Sequence, residues 1–202
     1  MLKTPLLVAT ALVIAFGGGI WSSLRAIEAT ESLGSLRIGA WETNPLAQTD
    51  AADPYAKALR ARSGTFALGQ AEGLVFRSVT DSAGSPLRRD CAYRLEGRFP
   101  AARLWVLQLI DGRGASLSAP APFSSSLHGQ AIIRDADGTF TLWLDRKARS
   151  GNWLKLDGEG AFAIRVTLFD TPAAGSFGLV DLAMPDIERV SCTTPARGDA
   201  DA

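Results

Sequence analysis

Phe162, Ile164, Val166 and Leu168 recur at every second position between Ala161 and Asp170, and Thr171-Pro172 then stops the run. That period fits a strand with one buried face and fits no helix. The same pattern runs through most of the chain. Leu74 to Thr80 alternates and meets a turn at Asp81-Ser82-Ala83-Gly84. Cys91 to Gly97 reads as the returning strand, and Arg103 to Ile110 as an apolar strand covered on both faces. Gln130 to Arg134 and Thr139 to Asp145 flank Asp135-Ala136-Asp137-Gly138 as a hairpin, with Phe140, Leu142 and Leu144 on one face. Ser35 to Trp41 reads as a first strand and Pro185 to Cys192 as a last one. About six or seven strands at this spacing predict an all-β fold, an antiparallel β-sandwich or jelly-roll-like domain.

One short helix interrupts the strands. Asp53-Pro54-Tyr55 supplies an N-cap and a proline at the first helical position, and Gly64 a stop. Thr43 to Ala52 before it reads as a linker, and Ala115 to Leu127, rich in Ser, Ala and Pro, as a longer loop. Ser150-Gly151-Asn152-Trp153-Leu154 is the most distinctive string. Gly and Asn suit a turn with positive φ, and Trp plus Leu suit a plug for one end of the sandwich.

The N-terminus sets the compartment. Met1-Leu2-Lys3 is a small positive region, and Pro5 to Trp21 carries no charge, at the lower edge of what spans a bilayer. Ala15-Phe16-Gly17 offers a cleavage site. Against cleavage stand Trp21, an interfacial anchor residue, and the helix-compatible continuation from Leu24 to Leu33. No Cys lies near residue 20, which excludes a lipoprotein anchor. The reading is one uncleaved signal-anchor helix, single-pass in a bacterial inner membrane with the C-terminal domain in the periplasm. A cleaved, exported form is the alternative. The expected organisation is 1–34 for that helix and its extension, 35–193 for the β domain, and 194–202 as a disordered tail.

Two cysteines fit an oxidising compartment, where Cys91 and Cys192 most simply form one disulfide; two buried thiols are the alternative. Closing the loop of about 100 residues between them contributes roughly 4 kcal/mol in the chain-entropy model. Two Cys at no metal-ligand spacing and one His provide no zinc site, and no cofactor is expected. Lys plus Arg equals Asp plus Glu at 21 each, so no global field attracts nucleic acid.

Catalytic signals are weak. His128 lies in a Ser-rich loop, and no Gly-x-Ser-x-Gly elbow exists. Asp111, Asp135, Asp137 and Asp170 offer carboxylate pairs, but each sits in a turn where Asp commonly bonds local backbone. Five Trp are more than a core of this size needs. Trp41, Trp105, Trp143 and Trp153 could line a face suited to sugar rings, with Trp41, Trp143 and Trp153 as the possible ligand face; in the competing reading Trp105 and Trp153 are core and the helix Pro54 to Ser63 covers Trp143. Arg103 and Arg165 either pair with strand-end Asp or form an anion site.

Several short strings then occur in a recognisable order. They are Asp53-Pro54-Tyr55, Leu68 to Gly73, Asp81 through Gly84 to Pro86-Leu87, Cys91-x-Tyr93 and Pro100-x-x-Arg103-x-Trp105. Asp135 to Gly138, Gly151-Asn152-Trp153-Leu154, Arg165-x-x-Leu168-x-Asp170-x-Pro172 and Met184-Pro185-x-Ile187 follow. This series, over about residues 37 to 192, resembles the bacterial domain of unknown function 1214, most closely its short, membrane-anchored alphaproteobacterial members. The resemblance implies a jelly-roll-like all-β domain, often beside a companion domain of unknown function 1254, with the paired cysteines and the N-terminal anchor recurring. It implies no catalytic residue. The chain departs from the family pattern at Lys155 and Ser150, where proline is usual.

The functional expectation is an exported, membrane-anchored domain with a non-catalytic ligand- or protein-binding role, its partner an envelope protein or a glycan. A carbohydrate-active or other hydrolytic enzyme using turn carboxylates is one alternative. A structural subunit of an envelope complex is another.

Overall fold

The chain's structure is a computed structural model that describes residues 3–30, 35–45, 52, 54–63, 68, 72–174 and 182–193. Two helices, one single-turn 3-10 helix and ten strands are found among these residues. The fold is mostly β, in two sheets, preceded by an apolar helix.

Helix α1 spans Lys3–Thr30, and its stretch Lys3–Arg25 is long and apolar enough to cross a membrane. Helix α2 spans Pro54–Ser63, with the proline where its missing N–H has no helical partner to lose. Asp53, the Tyr55 side chain and 194–202 lie outside the described residues. The two helices belong to one compact unit and all ten strands to another.

The strands are β1 (Leu36–Ile38), β2 (Trp41–Thr43), β3 (Gly73–Ser78), β4 (Cys91–Gly97), β5 (Leu104–Ile110), β6 (Ser126–His128), β7 (Phe140–Asp145), β8 (Asn152–Lys155), β9 (Ala163–Phe169) and β10 (Asp186–Cys192). One sheet has the order β1-β2-β3-β9-β5-β6, the other β10-β4-β7-β8. Every pair is antiparallel except β7–β8, which is parallel.

The alternation read in the sequence is what fills the interior. Phe76, Leu107, Leu109, Ile164, Val166 and Leu168 come from the larger sheet, and Tyr93, Leu95, Phe140, Leu142, Leu144 and Ile187 from the smaller. All belong to one hydrophobic cluster. Aromatic contacts join the two sets: Phe99 lies edge-on to Trp105 at 4.7 Å, and Trp105 stacks on Phe140 at 5.8 Å.

Four expectations differ from what the structure contains. Ser35 to Trp41 is a hairpin, because Gly39 at φ +57° turns the chain between Ile38 and Trp41. Gln130 to Arg134 is not a strand, although the turn that follows is closed by Asp135 N–H donating to Thr139 O. The supposed loop contains β6, which pairs with β5. Arg103 to Ile110 shows a half-buried outer face where full cover was expected.

The Asp81 to Gly84 turn holds β10. Ser82 N–H donates to Ile187 O, and Ile187 N–H to Ser82 Oγ. The buried Asp81 carboxylate accepts from Ser85 N–H and lies 3.0 Å from Arg189 Nε. Cys192 stands opposite Cys91 in the β10–β4 register, with the sulfurs at disulfide distance, 2.00 Å.

Candidate functional site

The Gly151-Asn152-Trp153-Leu154 string divides by side chain. Gly151 takes φ +81° and opens β8. Asn152 is buried within the strand and needs no unusual backbone. Its Oδ1 accepts from Ile133 N–H at 2.7 Å, and its Nδ2 donates to Ile133 O and Thr141 O at 2.8 and 2.9 Å. The amide therefore stitches β8 to the preceding loop and to β7. Leu154 enters the core. Trp153 points the other way and is half-buried on the outer face, so it is no core plug.

That outer face carries an aromatic pair. Trp143 stands directly opposite Trp153 in the β7–β8 register, and Arg94 opposite Trp143 across β4. The Arg149 guanidinium lies 5.0 Å from the Trp143 ring centroid and is anchored by the Asp145 carboxylate at 2.7 Å. Phe123 meets Trp153 edge-on at 5.4 Å, and Lys155 Nζ sits 4.9 Å from the Phe123 ring. Trp153 Nε1–H donates to Asp145 O, which fixes the indole. The result is a partly exposed aromatic strip bordered by cations, a surface suited to stacking against a sugar or other ring. Trp41 has no place in it. It is 1% exposed, packs on Phe99 and donates its N–H to Pro185 O, so no face of the indole is left for a ligand.

The Pro100-x-x-Arg103-x-Trp105 string lies elsewhere, where the chain passes from β4 in one sheet to β5 in the other. A cleft of about 380 Å³ opens there. Among the described residues its lining includes Arg98, Phe99, Arg103, Trp105, Gly129 and Arg134, and no acidic side chain. Arg103 is 3.3 Å from Asp170, both largely exposed, as the strand-end pairing anticipated. Arg165 is not among the residues lining the cleft and pairs with no Asp among the described residues. It donates to Gln108 Oε1 on the outer face of the larger sheet, and burial, then neighbouring Arg77, lowers its pKa. Arg98, Gly129 and Arg134 escaped the sequence reading because they reach the cleft from separate loops; the Arg98-Phe99 step beside Pro100 was the available signal.

Two of the four turn carboxylates, Asp111 and Asp137, are engaged locally, while Asp170 meets Arg103. Asp111 Oδ1 accepts from Arg113 and Ala115 N–H, and Asp137 Oδ1 from the Thr139 hydroxyl and N–H. The Thr139 hydroxyl, then its N–H, holds the Asp137 carboxyl below its ordinary range. His128 is exposed on β6, opposite Val106.

The family model described as "Protein of unknown function (DUF1214)" matches residues 72–173. No curated protein matches. Among solved structures, the VPA0106 protein from Vibrio parahaemolyticus aligns at 20% identity and a TM-score of 0.54, over 68% of this chain and 35% of its own. An uncharacterised protein from Burkholderia cenocepacia aligns at 21% identity and a TM-score of 0.41, over 63% of this chain and 32% of its own. The chain thus spans about a third of the length of these two, and the first shares its fold.

Proposed function

The chain belongs to the DUF1214 family, and we propose that it is an exported, membrane-anchored domain that binds a ligand or protein in the cell envelope without catalysing a reaction. In this reading α1 is the single membrane span, the two sheets form a jelly-roll-like sandwich over 35–193, and that domain faces the periplasm. Length and apolar character of Lys3–Arg25 support the anchor. The facing cysteines support an oxidising compartment. Mass spectrometry of the non-reduced exported protein should find Cys91 linked to Cys192; free thiols would contradict export.

The observation that carries the binding role is the register-matched Trp143–Trp153 pair on the outer face of the smaller sheet, with Phe123, Arg149 and Lys155 beside it. Rings held half-exposed by neighbours offer a stacking surface at little entropic cost. The hydrolase alternative is weakened because Asp111 and Asp137 cap their own turns. Titration of the detergent-solubilised full chain with peptidoglycan fragments tests the reading. A saturable change in tryptophan fluorescence, lost in the Trp143→Ala/Trp153→Ala variant, is expected. Binding untouched by that variant, or glycan turnover abolished by His128→Ala or Asp111→Asn, would overturn it.

A further inference from the structure

We propose that the cleft at the β4–β5 crossover is a second binding site, one that takes the carboxylate or phosphate of a small anionic ligand on Arg103, Arg134 and the indole N–H of Trp105. It shares no residue with the tryptophan strip, and a negative result at either place leaves the other intact.

The first observation is a donor without an acceptor. Trp105 is 6% exposed, and its Nε1–H has no hydrogen-bond partner among the described residues; the nitrogen is not one of the fully buried unpartnered atoms there, so it keeps access to solvent at the cleft. Trp41 and Trp153 donate theirs to Pro185 O and Asp145 O. An indole N–H that opens on a cleft is a donor that a ligand oxygen can take over from water. The N–H edge faces the cleft wall: a Cβ placed on Gly129, which lines the cleft, would stand 2.9 Å from Trp105 Nε1. Glycine at 129 keeps that edge clear.

The second observation is the charge around that edge. Arg134 donates from Nη2 to Gly129 O at 2.6 Å, and its guanidinium lies 6.0 Å from the Trp105 ring centroid. One hydrogen bond occupies one of five guanidinium donors. Arg103 is held by the exposed Asp170 contact, which solvent screens and which contributes little, so an incoming oxyanion competes for it readily. Guanidinium forks match the planar oxygens of a carboxylate or the tetrahedral oxygens of a phosphate. Phe99 and Phe140 supply the apolar part of the lining, and the volume suits a monosaccharide-sized body.

Calorimetric titration of the detergent-solubilised full chain with D-glucuronate, inorganic phosphate and neutral D-glucose tests the proposal. One anion per chain should bind, and glucose should not. Tighter glucuronate assigns a carboxylate-bearing ligand and tighter phosphate a phosphorylated one. Arg103→Gln and Arg134→Gln should each weaken binding about tenfold, the loss expected for one charge-assisted hydrogen bond. Trp105→Phe, which keeps the ring and removes the donor, should weaken it roughly fivefold, while Arg113→Gln in the Asp111 to Gly114 turn should leave it unchanged. Failure of both anions to saturate at about 10 mM, far weaker than such a site provides, would overturn the proposal. So would unchanged affinity in an Arg103→Gln/Arg134→Gln variant with a native circular dichroism spectrum.

Discussion

Two distinctive strings of this chain, Gly151 to Leu154 and Pro100 to Trp105, treat their polar groups in opposite ways. In the first, Asn152 commits its whole amide to backbone groups of Ile133 and Thr141. In the second, the Trp105 N–H opens on a cleft with no acceptor among the described residues, and Arg103 holds Asp170 in an exposed pair. A buried amide that is fully satisfied has nothing left for a ligand, so that string is architecture. A donor left open to a cleft beside arginines is a place for something to bind. Two strings that look equally characteristic in the sequence therefore do different work.

The largest effect should come from the satisfied string. Asn152→Ala strips partners from the Ile133 N–H, Ile133 O and Thr141 O and should cost about 3 kcal/mol in denaturant unfolding. A loss below about 0.5 kcal/mol would mean that solvent replaces the amide, and the contrast would fail. Gly129→Ala comes next. The new methyl meets a rigid indole, which should cost about 1–3 kcal/mol and close the cleft to anions, as read by unfolding and by calorimetry.

Arg103→Gln should change stability by less than about 1 kcal/mol, as expected for an exposed pair, while removing most anion affinity. A stability loss with unchanged binding would make Arg103 structural and reverse the assignment. The smallest effect concerns Tyr93, another satisfied buried group, whose hydroxyl accepts from Arg88 N–H at 2.8 Å. Burial raises its pKa above the ordinary value, against the opposing influence of the Arg88 N–H and Arg189, while Asp81 adds to the rise. The folded state then holds the phenolic proton more tightly than the unfolded chain. Its contribution is complete below about pH 10 and is lost as pH rises through the folded value. Melting temperature should fall on that alkaline limb, and Tyr93→Phe should flatten the fall.

Local signals in the sequence located most of the strands. The bounds of α2 and β4 match the helix start at Pro54 and the run from Cys91 to Gly97, and the inner face of β9 is the one its alternation indicates. What escaped was set by distant partners. β8 is four residues long and lies parallel beside β7, so neither a hairpin turn nor a long alternation announces it. β6 is three residues in a Ser-rich stretch and exists because β5 offers an edge. Arg103 and Trp105 were visible as candidates. Their cleft was not, because Gly129 and Arg134 join it from beyond β6, and no local pattern records that a glycine has been placed against an indole.

The indole N–H resonances of the five tryptophans offer the most direct test. The detergent-solubilised full chain would be followed by nitrogen–proton correlation spectra during titration with glucuronate and with phosphate. A saturable downfield shift of the Trp105 signal is expected with at least one anion, while Trp41 and Trp153, already bonded to Pro185 O and Asp145 O, hold still. A Trp105 signal that stays fixed under both anions would contradict that expectation.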